Sequence, residues 1–372
     1  MSIRPLSDRE RLDWLLLARS ENVGPITFRR LLDRYGSAAA ALTALPDLAR
    51  RGGRTAALRI ATKAQAEKEL DACRRIGARL VGLMEPAYPA RLRAVDDAPP
   101  LLCVRGHPAL LERPTVAVVG ARNASLAGRK MATTIAAGLG AAGIVVVSGL
   151  ARGIDTAAHE AALATGTVAV QAGGVDMIYP PENDDLYHRI VEVGAVVAEL
   201  PPGTEPQARH FPRRNRIVSG LSAGIVVVEA AARSGSLITA RVALEQGRDV
   251  FAVPGSPLDP RCTGTNGLLR QGAVLTESAD DVIQHLQGAL ARPMSEPDRG
   301  GRDPVAPHDP PDEVALAAAR RIVREALSPT PVSVDELVRE CQLSVALVAT
   351  VLLEMELAGR LHRYPGNQVA LV

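Results

Sequence analysis

The chain has 372 residues, 47% of them hydrophobic but only 2% aromatic, and a formal net charge of +2. That length gives two or three domains and an aliphatic core, and the balanced charge excludes a uniformly basic coat, so cations that grip a polyanion must be gathered locally. Four scattered cysteines without a CxxC pair exclude a zinc knuckle and a redox motif; reduced thiols and no metal are expected.

At the start, MSIRPLSDRERLDW carries charges where a secretion signal would carry its apolar run, which fits a cytoplasmic protein. Residues 8 to about 80 follow a helical pattern rich in Leu, Ala and Arg. Within it, Glu21–Thr27 sets a Val-Gly-Pro turn between two helices. A helix–hairpin–helix phosphate contact and an ordinary tight connection both fit.

From about 110 to 288 the texture changes. Continuous β-branched runs occur at Val116–Val119, Ile144–Val147, Val168–Val170, Ala195–Ala198, Ile225–Val228, Val250–Val253 and Ala273–Leu275, as strands buried on both faces should be. Helical stretches such as Asp155–Ala164 and Ser236–Gln246 alternate with them. The pattern predicts an α/β, doubly wound, mostly parallel sheet. The uncharged stretch from Met131 to Leu150 contains glycines and Ser148, and reads as a helix end, a turn and a strand, with no membrane span.

Ligands of such sheets bind beyond the carboxyl ends of the strands. The first turn there, Gly120-Ala121-Arg122-Asn123-Ala124-Ser125, puts Arg122 where a dinucleotide fingerprint needs its second glycine. The second strand ends without the acidic residue that holds a ribose, and Gly128-Arg129-Lys130 lacks the Walker spacing. NAD is disfavoured and no cofactor is expected. Arg122 fits an anion too long to be enclosed, and also a surface loop cap.

The second turn, Ser148-Gly149-Leu150-Ala151-Arg152-Gly153, again places a basic residue between glycines. Asp155 after it is a candidate N-cap, or a carboxylate paired with His159. The segment Arg209–Arg216 is the most charged. It sets Arg213, Arg214, Asn215 and Arg216 beside Phe211, one of three phenylalanines in the chain. A ring among arginines suits a single strand, because bases stack on the ring while guanidiniums follow the phosphates. A fourth turn, Ser234-Gly235-Ser236, is an anion-binding helix start or a simple cap supplied by Ser236.

Residues from about 292 to 311 are rich in Pro, Gly and charge and read as a linker. Glu313–Leu327, Val334–Cys341 and Ser344–Ala358 then read as three helices, followed by a hairpin over 359–371, which together make a winged helix. The third helix is nearly chargeless, which speaks for a protein contact over duplex reading.

Taken together, the segments YPARL at Tyr88, VAVVGAR ending at Arg122, SGLARGID from Ser148, YPPEN from Tyr179, FPRRNRIVSGLS from Phe211, EAAARSGSLITA from Glu229, VFAVPG from Val250 and GTNGLLRQGA from Gly264 resemble the DNA-processing protein A (DprA/Smf) family. The resemblance implies a Rossmann-like core flanked by an N-terminal all-α (SAM-like) domain and a C-terminal winged-helix-like domain. It also implies single-stranded DNA binding, homodimerisation and loading of a RecA-type recombinase in natural transformation, with a single-strand-binding protein as a further candidate partner. It points to Arg122, Arg152, Phe211, Arg214 and Asn215. Members often carry Ser at the position of Ala121 and Lys at that of Arg152. The expected division is 1–80 helical, 81–290 single-strand-binding core, 291–311 linker and 312–372 winged helix. The expected DNA-binding set is Gly120, Arg122, Ser148, Gly149, Arg152, Gly153, Phe211, Arg213, Arg214, Asn215, Arg216, Ser234, Gly235 and Ser236, with no catalytic residue. Two alternatives remain. One is a nucleotide N-glycosidic-bond hydrolase using Glu229, Asp155 and His159. The other is a winged-helix regulator of duplex DNA.

Overall fold

The computed structural model describes residues 3–291, 313–364 and 366–372. They divide into two compact units: residues 3–5 with 68–291, and residues 6–67 with the described residues from 313 onward.

The first unit is built on a nine-stranded sheet. Its strands are β1 (Ala78–Gly82), β2 (Leu101–Gly106), β3 (Thr115–Val119), β4 (Val145–Ser148), β5 (Thr167–Val170), β6 (Ala195–Ala198), β7 (Gly224–Val227), β8 (Asp249–Ala252) and β9 (Val274–Leu275). Their spatial order is β1-β2-β6-β5-β4-β3-β7-β8-β9. From β6 through β9 every pairing is parallel; β2 joins β6 antiparallel, and β1 joins β2 antiparallel. All seven predicted strands are present, each shifted by at most a residue at either end. The antiparallel pair β1 and β2 was not expected, because exposed Arg79 interrupts the first run and both strands lie before the β/α alternation begins.

Strands β3 to β7 are buried along their whole length, which is why their sequences run apolar without alternation. Ile135 and Leu139 of the helix Leu126–Ala141, Ile154 and Ala158 of the helix Ile154–Ala162, and Val282 and Leu286 close one face over Val116, Val146, Val226 and Phe251. Each large aliphatic side chain sealed there contributes roughly 1.5–3 kcal/mol. The chain winds outward from β3 through β4, β5 and β6 to one side and from β7 through β8 and β9 to the other. The winding therefore reverses between the carboxyl ends of β3 and β7.

The second unit joins N-terminal helices to a winged helix. Helix Asp8–Ala18 starts on a Ser7/Glu10 capping box, and the hairpin to helix Pro25–Tyr35 turns at Asn22, at φ 60°. Trp14 and Phe28 pack edge-to-face at 5.0 Å. Helices Glu313–Ala326, Val334–Cys341 and Val345–Leu357 precede the antiparallel strands Leu361–Tyr364 and Gln368–Leu371. The third helix packs on helix Ala38–Arg51, so closely that a Cβ on Gly52 would overlap the Glu354 carbonyl. Asn22 Nδ2 donates to Leu357 O at 3.1 Å and Arg34 Nη1 to Thr350 Oγ1 at 3.1 Å. The helix thus packs within its own unit, while Ser344, Val345 and Ala346 at its start stay exposed. Its one sealed acid, Glu354 at 0% exposure, is gripped by Arg320 through bonds of 2.7 and 3.0 Å.

The linker expected at 291–311 lies outside the described residues except for Ala291. Among the described residues no helix is long and apolar enough to cross a membrane. The stretch from Met131 divides as expected into helix, a turn at Gly143 and β4.

Candidate nucleic-acid interface

The turns after β3 and β4 are locked together. A Cβ on Gly120 would stand 2.6 Å from Ile154 Cγ1, so only glycine fits. Gly153, at φ 79°, needs glycine twice over, since a Cβ there would also meet Ala121 O at 2.4 Å and Arg122 O at 2.7 Å. Ile154 N–H donates to Ala121 O at 3.2 Å. This contact brings exposed Arg122 and exposed Arg152 onto neighbouring loops at the rim of the sheet.

Several backbone donors of these turns already have partners. Ser125 caps the helix Leu126–Ala141 by accepting from Gly128 N–H at 2.9 Å, and it donates to the Glu229 carboxylate from its N–H at 2.9 Å and its hydroxyl at 2.5 Å. Glu229 thus fills the crevice where the winding reverses, the place at which related sheets take a phosphate. After β4, Asp155 does not cap its helix as the sequence suggested; Gly153 stands at the N-cap. Asp155 reaches back to accept from Gly149 N–H at 3.1 Å and Ala151 N–H at 3.3 Å. Burial pushes its carboxyl up in pKa, against the pull of Arg214 and these two amides. Ser148 is wholly buried, its hydroxyl donating to Val118 O at 2.6 Å, so its side chain ties β4 to β3 and does not reach a ligand. After β7 the cap is Ser234 and not Ser236: Ser234 Oγ accepts from Ser236 N–H at 3.3 Å, while Gly235 is exposed and Ser236 buried. At the first two turns the side chains of Arg122 and Arg152 remain exposed.

The segment Arg209–Arg216, read from sequence as a charged stretch, is mostly the helix His210–Leu221. Its turns sort the cations. Arg213 points outward and is exposed, and Asn215 is half-buried. Arg214 is 6% exposed: its Nη1 donates to Val170 O at 2.5 Å and passes so close to Gly149 that a Cβ would overlap it. Burial holds its pKa down to about 10, opposed by Asp155 and reinforced by Arg122. Arg214, expected among the DNA contacts, therefore braces the second turn from beneath. Arg216, also expected there, faces inward too. It is 7% exposed and bound by Glu199 at 2.6 Å and by Asp97, because its turn of the helix faces the protein.

Arg122 and Phe211 meet, with the guanidinium carbon 5.2 Å from the ring centroid. Tyr179, 42% exposed, meets the same ring edge-to-face at 5.7 Å and 62°. Three residues further on, Glu182 pairs with Arg152 at 3.0 Å, both side chains more than half exposed. Sequence reasoning used the YPPEN segment only as part of a family pattern and missed both residues. The signal available was the scarcity of rings, which makes each exposed one informative.

Of the residues that a hydrolase would need, Glu229 and Asp155 are engaged as described. His159 is 0% exposed, its Nδ1 against Thr167 Oγ1 at 2.7 Å, and burial drives its pKa to about 3.

The family described as DNA recombination-mediator protein A matches residues 79–287, a DprA-like N-terminal HHH domain matches 8–72, and a DprA winged helix domain matches 306–367. Protein Smf of Escherichia coli K12 is 40% identical over 287 residues, covering 76% of this chain and 75% of that protein. The DNA processing protein DprA of Streptococcus pneumoniae is 46% identical over 207 residues, covering 55% of this chain and 73% of that protein. The solved structure of the pneumococcal DprA superposes with a TM-score of 0.63 at 36% identity, over 76% of this chain and 98% of that one. DNA processing protein A from Helicobacter pylori, solved for its single-stranded DNA binding mode, superposes with a TM-score of 0.53 at 29% identity, over 57% of this chain and 96% of that one.

Proposed function

The chain belongs to the DNA-processing protein A (DprA/Smf) family, and from that premise we propose that it binds single-stranded DNA without sequence preference along the strand-end rim of its nine-stranded sheet. The observation that carries this reading is the Arg122 guanidinium held over the Phe211 ring at that rim, with Arg152 on the adjoining loop. A cation and a ring presented together suit a phosphate followed by its unpaired base. The contact set is Gly120, Arg122, Gly149, Arg152, Gly153, Phe211, Arg213, Asn215 and the Ser234-Gly235-Ser236 turn, with Arg214 acting through the turn that it supports.

The product of this binding is a coated strand onto which the protein loads a RecA-type recombinase in the cytoplasm, acting as a homodimer in the uptake and recombination of DNA. The exposed Leu275 on the end strand β9, with exposed Ile238 and Leu244 on the helix Gly235–Glu245, supplies apolar surface for a second copy. Residues 81–290 form the DNA-binding core in this reading. The packing of the third winged-helix helix within its own unit speaks against duplex reading by that helix, and the sealed His159 speaks against the hydrolase.

The test is a polarisation titration of labelled oligo-dT, duplex DNA and a mononucleotide at two salt concentrations. Oligo-dT should bind best, with a slope of log K against log salt of about −0.7 per phosphate neutralised. Arg122→Ala should weaken binding about tenfold and flatten the slope by about one such step. Equal affinity for duplex and single strand, or an unchanged slope in the variant, overturns the assignment.

A further inference from the structure

Phe211 already has two neighbours. The Arg122 guanidinium lies over its ring and the Tyr179 ring packs against it, while the residue as a whole is half-buried. Tyr179 is the more open of the two rings, at 42% exposure. A side chain as apolar as a tyrosine ring is left in water at a rim of charges, in a chain with only five tyrosines and three phenylalanines. The loop that carries it is also tied to the cations, since Glu182 bonds Arg152 at 3.0 Å. Rings with a free face take a nucleobase without reading its hydrogen-bonding edge.

We propose that Tyr179 is the platform on which an unpaired base stacks, and that Phe211 is a positioning residue that holds Tyr179 and Arg122 side by side. The inference rests on the single-strand reading above and refines it: of the two rings, Tyr179 and not Phe211 is the one that meets the base. Phe211 then acts through its two neighbours: aromatic pairing orients the tyrosine and the cation–π contact orients the guanidinium. Because stacking is indifferent to base identity, the ligand class is any single-stranded nucleic acid with bases present.

The experiment uses the full chain and two oligomers of equal length and charge, one oligo-dT and one with abasic sites throughout. The wild type should prefer oligo-dT by about tenfold or more. Tyr179→Ala should abolish most of that preference while leaving abasic affinity and the salt slope unchanged. Tyr179→Phe should keep the preference, since the ring and not the hydroxyl does the stacking. Phe211→Ala should lower both the preference and the abasic affinity. The unchanged abasic affinity of Tyr179→Ala reports that the variant is folded. Two results overturn the proposal while leaving single-strand binding intact: Tyr179→Ala retaining the full preference, or losing an equal factor on both oligomers. A wild type that binds neither oligomer at low salt removes the single-strand reading and this proposal together.

Discussion

Two regions of this chain are candidates for meeting nucleic acid, and they differ in what their side chains have left to give. The rim of the nine-stranded sheet keeps Arg122, Arg152 and Arg213 exposed, while the Ser125 N–H bonds Glu229 and the Gly149 N–H bonds Asp155. The third helix of the winged helix has Val348, Val351, Leu352 and Leu357 sealed and Glu354 gripped by Arg320, and leaves only the uncharged Ser344, Val345 and Ala346 exposed at its start. The winged helix thus offers little charge on its third helix, whereas a nucleotide-binding architecture without its nucleotide fingerprint carries the open charge.

The sharpest way to break this comparison is Arg320→Ala. It strips both bonds from a carboxylate at 0% exposure and should destabilise the terminal unit by about 3–5 kcal/mol. Urea unfolding should then show an early transition, while oligo-dT affinity at the rim stays as in the wild type. A parallel loss of affinity would mean that the two regions are not separable.

The next effect lies beneath the rim. His159 titrates at about 3 in the folded chain against an ordinary 6.5, because burial and the Arg214 charge disfavour the imidazolium. Above pH 6.5 both states are neutral and the fold keeps its full stability. As pH falls from 6.5 toward 3 the unfolded state takes up a proton that the folded state refuses, and stability drops by about 1.4 kcal/mol per unit. His159→Gln should remove that component, so its urea midpoint should change less between pH 7 and pH 5 than the wild type's. An identical change in both would contradict the buried neutral imidazole.

The smallest effect concerns the exposed Arg152–Glu182 pair. Glu182→Gln frees the guanidinium for phosphate and should tighten oligo-dT binding by roughly two- to fivefold at low salt, in keeping with the modest strength of surface ion pairs. Weaker binding would show that Glu182 presents Arg152 and does not restrain it.

Much of this was legible in the amino-acid order. The buried parallel strands are visible because burial on both faces demands unbroken β-branched runs, and the turns are visible because Gly120 and Gly153 sit where no side chain fits. The caps were read less well. Asp155 and Ser236 are typical capping residues at plausible positions, yet Asp155 serves the preceding turn and Ser234 takes the cap. Local preference names the residue type, and the path of the chain decides which donor comes within reach.

By itself, then, the sequence determined the α/β alternation, the doubly wound sheet, the glycine-bearing turns and the winged helix. Only the tertiary structure decided which charges remain open. Arg213, Arg214 and Arg216 share one short helix, but successive residues there point about 100° apart. The neighbours β5, Glu199 and Asp97 make inner ligands of two of them and leave the first to solvent. Nor could any local pattern bring Tyr179 to Phe211, since their contact depends on how the loop after β5 and the start of the helix His210–Leu221 are held together by the fold. Exposure is a property of the packed whole, and a linear order of residues does not contain it.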